Sequence, residues 1–155
     1  MGDSLVIQYA ATMGVAMVPV LELRGSIPFG LALGLSPGMV YVVSVLGNLF
    51  PVPAVMLFVR SVFQWLRKWS RWDRRIDWLE TRAHLKGRFI QKYRLLGLVL
   101  LVAIPLPGTG AWTGALVATL LNIRIRVALP CILFGVLIAG GIMMATSLGL
   151  IHIFS

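Results

Sequence analysis

Long apolar stretches separated by short charged boundaries dominate the chain. Four stretches contain no Asp, Glu, Lys or Arg, and they cover residues 4–21, 25–59, 95–123 and 127–155. A membrane-spanning helix needs about 20 consecutive apolar residues, so these stretches have the length and composition of bilayer segments. The pattern predicts an all-α integral membrane protein with a single membrane domain, 1–155.

The stretch 95–123 has the length and the break of a re-entrant hairpin. Its 29 residues exceed one crossing but fall short of the roughly 40 that two crossings and a turn require. The sequence PLPGTG at residues 105–110 cannot continue a helix, because proline lacks an N–H donor and glycine favours turns. Arg94 precedes the stretch and Arg124 follows it. Since basic residues prefer the cytoplasmic side, we expect the chain to enter and leave there.

The segment 4–35 follows the same design and predicts a second re-entrant hairpin. The residues expected at its tip are Pro19, Glu22, Arg24, Gly25 and Pro28. Irregular backbone at membrane depth is stable only where protein or a water-filled cavity satisfies its N–H and C=O groups. Both tips are therefore expected to be buried within the protein or to line a cavity.

Each hairpin precedes a long apolar segment, predicted as a transmembrane helix at 37–59 and at 125–152. A shift of 80 residues places one GxxxG motif on another, Gly30 and Gly34 on Gly110 and Gly114. An odd number of crossings in each unit would invert the second copy relative to the first. This is the inverted-repeat plan of many secondary transporters.

Composition and charge agree with a membrane protein and orient it. The chain is 59% hydrophobic and 12% charged, with a mean hydropathy of +0.92. Of its net charge of +9, residues 60–94 carry +8, from 11 basic and 3 acidic residues. Because this charge is concentrated in one segment, it predicts a cytoplasmic loop that attracts anionic lipids rather than a nucleic-acid partner. The protein is then expected in the plasma membrane as a multi-pass protein, with both termini outside.

Within the loop, apolar residues recur every three or four positions and predict an amphipathic helix. Trp65, Trp69 and Trp72 lie on its apolar stripe, and the basic face includes Arg71, Arg74 and Arg75. Tryptophan beside cationic residues is typical of a helix in the headgroup plane. The alternative is a heptad seam against a partner chain.

Glu22 is the only acidic residue within the apolar part of the chain, and it lies two positions before Arg24. Charges at membrane depth are costly and mark ion or substrate pathways. Arg24 is therefore expected to bind an anionic group, with Glu22 gating it or coupling it to protons. The alternative is a structural ion pair that holds the hairpin tip.

The second tip has no charged side chain but has backbone that can bind an anion. A helix beginning after Gly110 would present free N–H groups, which attract phosphate or carboxylate. The alternative for the glycines is close helix packing. The other expected binding residues are Pro105, Pro107, Gly108, Thr109 and Asn48. Asn48, Pro51 and Pro53 interrupt the helix 37–59, and the alternative for Asn48 is a hydrogen bond to a neighbouring helix.

Enzyme signatures are missing from the sequence. It contains no phosphate-binding Walker motif and no His, Cys and carboxylate cluster for a metal, and its single cysteine, Cys131, cannot form an internal disulfide. We therefore expect no catalysis, no cofactor and no metal.

Two segments carry a family resemblance: ELRGSIPFG at 22–30 and PLPGTGAWTG at 105–114. They resemble the bacterial and archaeal family called putative small multidrug export proteins, over almost the whole chain. The resemblance implies a small exporter.

The hairpin–helix plan is also similar to the wider DedA and VTT membrane proteins, whose two re-entrant tips carry an acidic residue and an arginine. That group is associated with lipid movement, including polyprenyl phosphates, and with proton coupling. Here only Glu22 and Arg24 match, since the second tip has neither charge.

The combined prediction is a small transporter that moves an amphiphilic substrate by alternating access, with a homodimer as the expected assembly. A lipid phosphate would depend on Arg24, whereas a lipophilic cation would depend on Glu22. The competing hypothesis is a membrane anchor or scaffold that recruits anionic lipid or a partner through the basic loop.

Overall fold

The computed structural model describes residues 2–68 and 87–154, and in this part of the chain the only regular secondary structure is helical. Seven helices are described: α1 (Gly2–Met17), α2 (Glu22–Ala32), α3 (Pro37–Leu49), α4 (Pro51–Arg67), α5 (Gly87–Ala103), α6 (Ala111–Leu120) and α7 (Ile125–Phe154). The all-helical prediction is therefore confirmed for the described residues.

Two pairs of helices, α1 with α2 and α5 with α6, form helical hairpins whose limbs pack on each other. The first tip is the short turn at residues 18–21, so Gly25 and Pro28 lie within α2 rather than at the break. A helix tolerates Pro28 because α2 still packs on three other helices. The second tip, residues 104–110, is the predicted proline and glycine segment.

The predicted helix at 37–59 is divided into α3 and α4 at Phe50. The Phe50 N–H still donates to the Leu46 carbonyl at 3.0 Å, but Pro51 and Pro53 have no N–H to continue the ladder. Helix α4 then extends to Arg67, beyond the predicted end at residue 59. Helix α4 can continue through residues 60–67 because they contain neither glycine nor proline.

The core lies where the second limb of each hairpin meets the long helices. Helix α2 packs on α3 and α7, and helix α6 packs on α4 and α7. Each second limb therefore contacts long helices from both halves of the chain. The fully buried side chains in α6 are small, namely Ala111, Ala115 and Ala118, which lets neighbouring helices approach closely.

The two halves share a helix-ending motif 88 residues apart. Helix α2 ends with Gly34 at φ +74°, and the next N–H, of Leu35, donates to the Gly30 carbonyl. Helix α6 ends with Asn122 at φ +56°, and the N–H of Ile123 donates to the Ala118 carbonyl. Both are Schellman-type caps.

The same spacing of 88 residues separates Pro37 from Ile125, where the long helices begin. It also separates Gly47 from Gly135, each of which packs against the first limb of its own hairpin. The predicted shift of 80 residues does not match these positions, because Gly30 lies inside α2 whereas Gly110 precedes α6. Short GxxxG matches arise easily in glycine-rich sequence, whereas caps and close contacts depend on the fold.

Two helical spans, Pro37–Leu66 and Ile125–Ile153, are long and apolar enough to cross a membrane. Only 33% of each apolar window is buried within the protein, and large side chains such as Phe50, Phe58 and Phe134 are more than half exposed. A soluble core helix would bury this surface, whereas lipid solvates it.

Candidate functional site

The two helical hairpins are joined by hydrogen bonds between the start of α2 and the second hairpin. Residues 18–21 of the first tip and 106–108 of the second are exposed, so the tips are not buried within the protein, and both contribute to the lining of a cavity. The guanidinium of Arg24 donates from Nη2 to the Thr109 carbonyl at 2.7 Å and lies 2.9 Å from the Thr109 hydroxyl. The backbone N–H of Trp112 donates to Oε1 of Glu22 at 3.2 Å. These side-chain bonds of Glu22 and Arg24 go to the second tip rather than to each other. The tip junction thus brings Arg24 to Thr109, 85 positions later in the chain, and Glu22 to Trp112, 90 positions later.

Glu22 occupies the N-terminal end of α6, the position expected to bind a substrate anion. A carboxylate there is favoured by the free N–H groups and by the helix dipole. The protein's own side chain therefore satisfies this helix end. A substrate anion could bind there only after the Glu22 carboxylate had moved.

Backbone conformation at the junction is unusual on both sides. Glu22 has φ +45°, a left-handed conformation that L-residues other than Asn and Asp seldom adopt. Gly110 has φ +143°, and a Cβ atom at this residue would overlap the Glu22 carboxylate. Gly110 is therefore required both for its own backbone and for the space that Glu22 occupies.

The Thr109 hydroxyl organises the second tip. Its Oγ1 accepts from the N–H of Leu106 at 3.1 Å and lies 2.6 Å from the Ile104 carbonyl and 2.8 Å from the Leu106 carbonyl. A hydroxyl has one donor and two acceptor sites. With Arg24 as the second donor to Oγ1, the capacity of this oxygen is filled.

A small cavity of about 10 Å³ adjoins Glu22. Its polar lining includes Arg24 and Asn48, and Pro105 and Gly110 line it from the second tip. This volume matches a single water molecule. The Asn48 carbonyl oxygen is buried without a hydrogen-bond partner.

A larger cavity of about 190 Å³ lies on the other side of Arg24. The residues lining it are Pro19, Val20, Arg24, Pro107, Gly108, Thr109 and Thr113. Arg24 is the only charged side chain among them, and Glu22 is not part of the lining. The volume is below the roughly 300 Å³ at which drug-sized ligand pockets begin, so it suits a headgroup better than a whole drug.

The remaining sequence-predicted residues lie around this junction or away from it. Gly25 and Pro28 are in the body of α2, and a Cβ at Gly25 would press on Leu21. Gly30 contacts Thr12 and Val40, and Gly114 contacts Val102, so both glycines pack within the chain. Because both glycines pack against other helices of the same chain, neither of them supports the predicted dimer face.

The predicted membrane-surface helix falls mostly outside the described residues. Trp65 is exposed near the end of α4, whereas Trp69, Arg71, Trp72, Arg74 and Arg75 are not described. One basic residue at the start of the predicted loop has a defined role. Arg60 donates from Nη2 to the Ile123 carbonyl at 2.8 Å and so binds the C-terminal end of α6.

Sequence reasoning missed two polar residues near the junction, Ser26 and Ser44, and did not assign a polar role to the indole of Trp112. All three have a buried polar atom without a hydrogen-bond partner. The spacing contained a signal for the serines, since Ser26 follows Glu22 by one helical turn and Ser44 precedes Asn48 by one turn. The indole gave no such signal, because tryptophan in an apolar helix usually only fills space.

Helical hairpins joined at their tips, between long lipid-compatible helices, define a membrane protein with an internal polar site. The family model described as "Putative small multi-drug export protein" matches residues 22–142, which include the hydrogen-bonded residues Glu22, Arg24, Thr109 and Trp112. The chain belongs to this family. Searches of curated proteins and of solved structures find no match.

Proposed function

We propose that the chain is a small membrane transporter for an amphiphile with an anionic headgroup, which binds beside Arg24. The observation that carries this proposal is the 190 Å³ cavity whose only charged lining residue is Arg24. Glu22 lies outside this cavity and is bound to α6. An anionic headgroup therefore fits the cavity better than the lipophilic cation expected of a drug exporter. The apolar tail would extend along lipid-exposed side chains such as Val20 and Leu106.

We infer that both helical hairpins are re-entrant and form an inverted repeat. The shared caps, helix starts and glycine contacts at a spacing of 88 residues support the repeat. The bond between Arg60 and Ile123 supports the topology, because it brings the end of α6 to the side of the basic segment. In this arrangement residues 60–94 are cytoplasmic, both termini are outside, and the protein resides in the plasma membrane.

Transport then proceeds by opening and closing the tip junction. An arriving anionic headgroup competes with Thr109 for the Arg24 guanidinium, since both supply oxygen acceptors. Losing that bond weakens the junction, which then keeps the hydrogen bond between Glu22 and Trp112. Tips that enter from opposite sides can then expose the cavity to either side in turn.

The test is flux in vesicles reconstituted with purified protein. A fluorescent anionic lipid and a lipophilic cation are offered to wild type, Arg24→Ala, Arg24→Lys and Glu22→Gln, with Thr146→Ala as a control whose hydroxyl bonds only within its own helix. We expect anionic-lipid flux that Arg24→Ala abolishes, Arg24→Lys reduces and Thr146→Ala leaves unchanged. Lysine keeps the charge but loses the planar, multi-donor geometry of arginine.

Two outcomes would overturn the proposal. Cation flux that depends on Glu22 and ignores Arg24 would instead support drug export. Absence of flux for both compounds, with anionic-lipid binding lost on deletion of residues 62–86, would favour the anchor hypothesis.

A further inference from the structure

Helices α2 and α3 bury a ladder of polar residues that leads away from the tip junction. The two helices are antiparallel neighbours, and Gly30 of α2 faces Val40 of α3. One turn along each helix, Ser26 lies level with Ser44. One further turn along, Glu22 lies level with Asn48, and these two residues line the same small cavity.

The oxygens of this ladder are buried and unsatisfied. Ser26 and Ser44 are 0% exposed and Asn48 is 1% exposed, and none of their side-chain oxygens has a hydrogen-bond partner. Such atoms are rare in native proteins and indicate a water or ion that binds them. Because these three oxygens lie in one interface, a single bound ligand would account for all of them.

Four other helical hydroxyls among the described residues are satisfied within their own helices. The hydroxyls of Thr12, Ser61, Thr119 and Thr146 each donate to the carbonyl four residues earlier, at 2.8 to 3.0 Å. This local bond is the usual way for a helix in lipid to satisfy a hydroxyl. Ser26 and Ser44 do not use it, so their oxygens remain available to a ligand between α2 and α3.

The ladder ends in a tight contact rather than an opening. A Cβ atom at Gly30 would lie 2.9 Å from both γ-carbons of Val40 and 3.0 Å from the Thr12 methyl group. No polar side chain continues the ladder at this level of the α2–α3 interface, because it is occupied by Gly30 and Val40. The ladder thus ends at Gly30 and Val40, and its other end adjoins the small cavity that Glu22 and Asn48 line.

We propose that this ladder binds a sodium ion, with the Glu22 carboxylate and the Asn48 carbonyl oxygen as ligands and the Ser26 and Ser44 hydroxyls completing the shell directly or through water. All four groups offer oxygen, which hard cations prefer. Arg24 lines the same cavity as Glu22 and Asn48 and already balances the carboxylate, so a bound sodium ion adds one positive charge, which an anion at Arg24 would balance. The described residues hold no cluster of three His, Cys, Asp or Glu side chains, so a transition-metal site has no comparable ligand set here.

The sodium site gives the transporter a coupling ion, an extension that rests on the proposed function. Sodium at Glu22 neutralises the carboxylate, and an anionic headgroup at Arg24 neutralises the guanidinium. Each therefore removes the charge imbalance that the other would create if it bound alone. Two ligands that stabilise one another in this way bind cooperatively, and the cooperativity is reciprocal.

The binding test uses the full chain in detergent, without transport substrate. Thermal unfolding is followed by tryptophan fluorescence in NaCl, KCl or choline chloride at equal ionic strength, for wild type and for Ser44→Ala, Ser26→Ala and Asn48→Ala. Thr119→Ala is the matched control, since its buried hydroxyl has a local partner. We expect a saturable rise of the unfolding midpoint with sodium alone, unchanged in Thr119→Ala, and a sodium affinity reduced roughly tenfold or more in each ladder variant.

Three results would overturn the sodium site. One is an equal response to sodium, potassium and choline in wild type, which would show that the ladder has no sodium site. Another is a midpoint that follows pH and ignores sodium, which would make Glu22 a proton site. The third is an unchanged sodium response in all three ladder variants. Because no substrate is present, a failure of transport leaves this measurement unaffected, and the two proposals can fail separately.

Discussion

The carboxylate of Glu22 accepts a hydrogen bond from the backbone N–H of Trp112, which lies 90 residues later in the chain. Glu22 thereby acts as an N-terminal cap of a helix in the other hairpin. The side chain that looked like a free charge at membrane depth is held by the fold. Any ligand or ion that binds this carboxylate therefore also alters the hydrogen bond that joins the two hairpins.

Replacing Gly110 should break the tip junction. In Gly110→Ala the new methyl group overlaps the Glu22 carboxylate, and we expect a loss of about 2–4 kcal/mol from strain and overpacking together. Gly108→Ala is the matched control, because Gly108 has φ +88° but open space around it. It should lose only about 1–2 kcal/mol for its backbone conformation. Thermal unfolding in detergent measures both, and equal losses would show that the contact with Glu22 is unimportant.

Removing the Thr109 hydroxyl should loosen the second tip. Thr109→Val keeps the shape but deletes an oxygen that contacts Arg24, the Leu106 N–H and two carbonyls. We expect about 1–3 kcal/mol of destabilisation, together with faster proteolysis or hydrogen exchange at residues 104–110. Thr113→Val is the control, since its hydroxyl donates only to the Gly108 carbonyl. A Thr109→Val protein as stable as the control variant would contradict the central role of Thr109.

Close packing between α5 and α7 should depend on Gly135. A Cβ atom there would lie 2.6 Å from the Cβ of Val102 and 3.0 Å from the Val99 carbonyl. We expect Gly135→Ala to destabilise the protein by about 1–3 kcal/mol. Gly141 lies in the same helix with nothing nearby, so Gly141→Ala should be neutral or stabilising by up to about 1 kcal/mol. Reversed signs for the two variants would refute the packing described.

The re-entrant topology predicts the sides from which single cysteines react. In a Cys131→Ser background, Tyr93→Cys at the start of the second hairpin and Arg126→Cys after it should both be labelled from the cytoplasmic side. Gly2→Cys should be labelled only from outside. Membrane-impermeant maleimides on intact cells and on inverted vesicles make the distinction. Labelling of residues 93 and 126 from opposite sides would replace the hairpin by a full crossing.

Local sequence determined several features of this protein. The apolar composition determined a membrane-compatible helical fold, because the bilayer admits only backbone that satisfies its own hydrogen bonds. The proline and glycine segment at 105–110 predicted the second tip, and Pro51 marked the break after α3. Glu22 and Arg24 were recognisable as site residues from their isolation alone, since charge is costly at this depth.

Only the tertiary structure decided which groups meet. No local pattern indicates that the Glu22 carboxylate fills the end of α6, that Arg24 binds Thr109, or that 88 residues rather than 80 relate the two halves. Ser26 and Ser44 are ordinary serines in the sequence, and only the packing of the helices buries their oxygens without partners. The physical reason is the distance along the chain over which each feature is set. Hydropathy and helix breaks depend on neighbouring residues in the chain, whereas a binding site depends on atoms that packing brings together from distant residues.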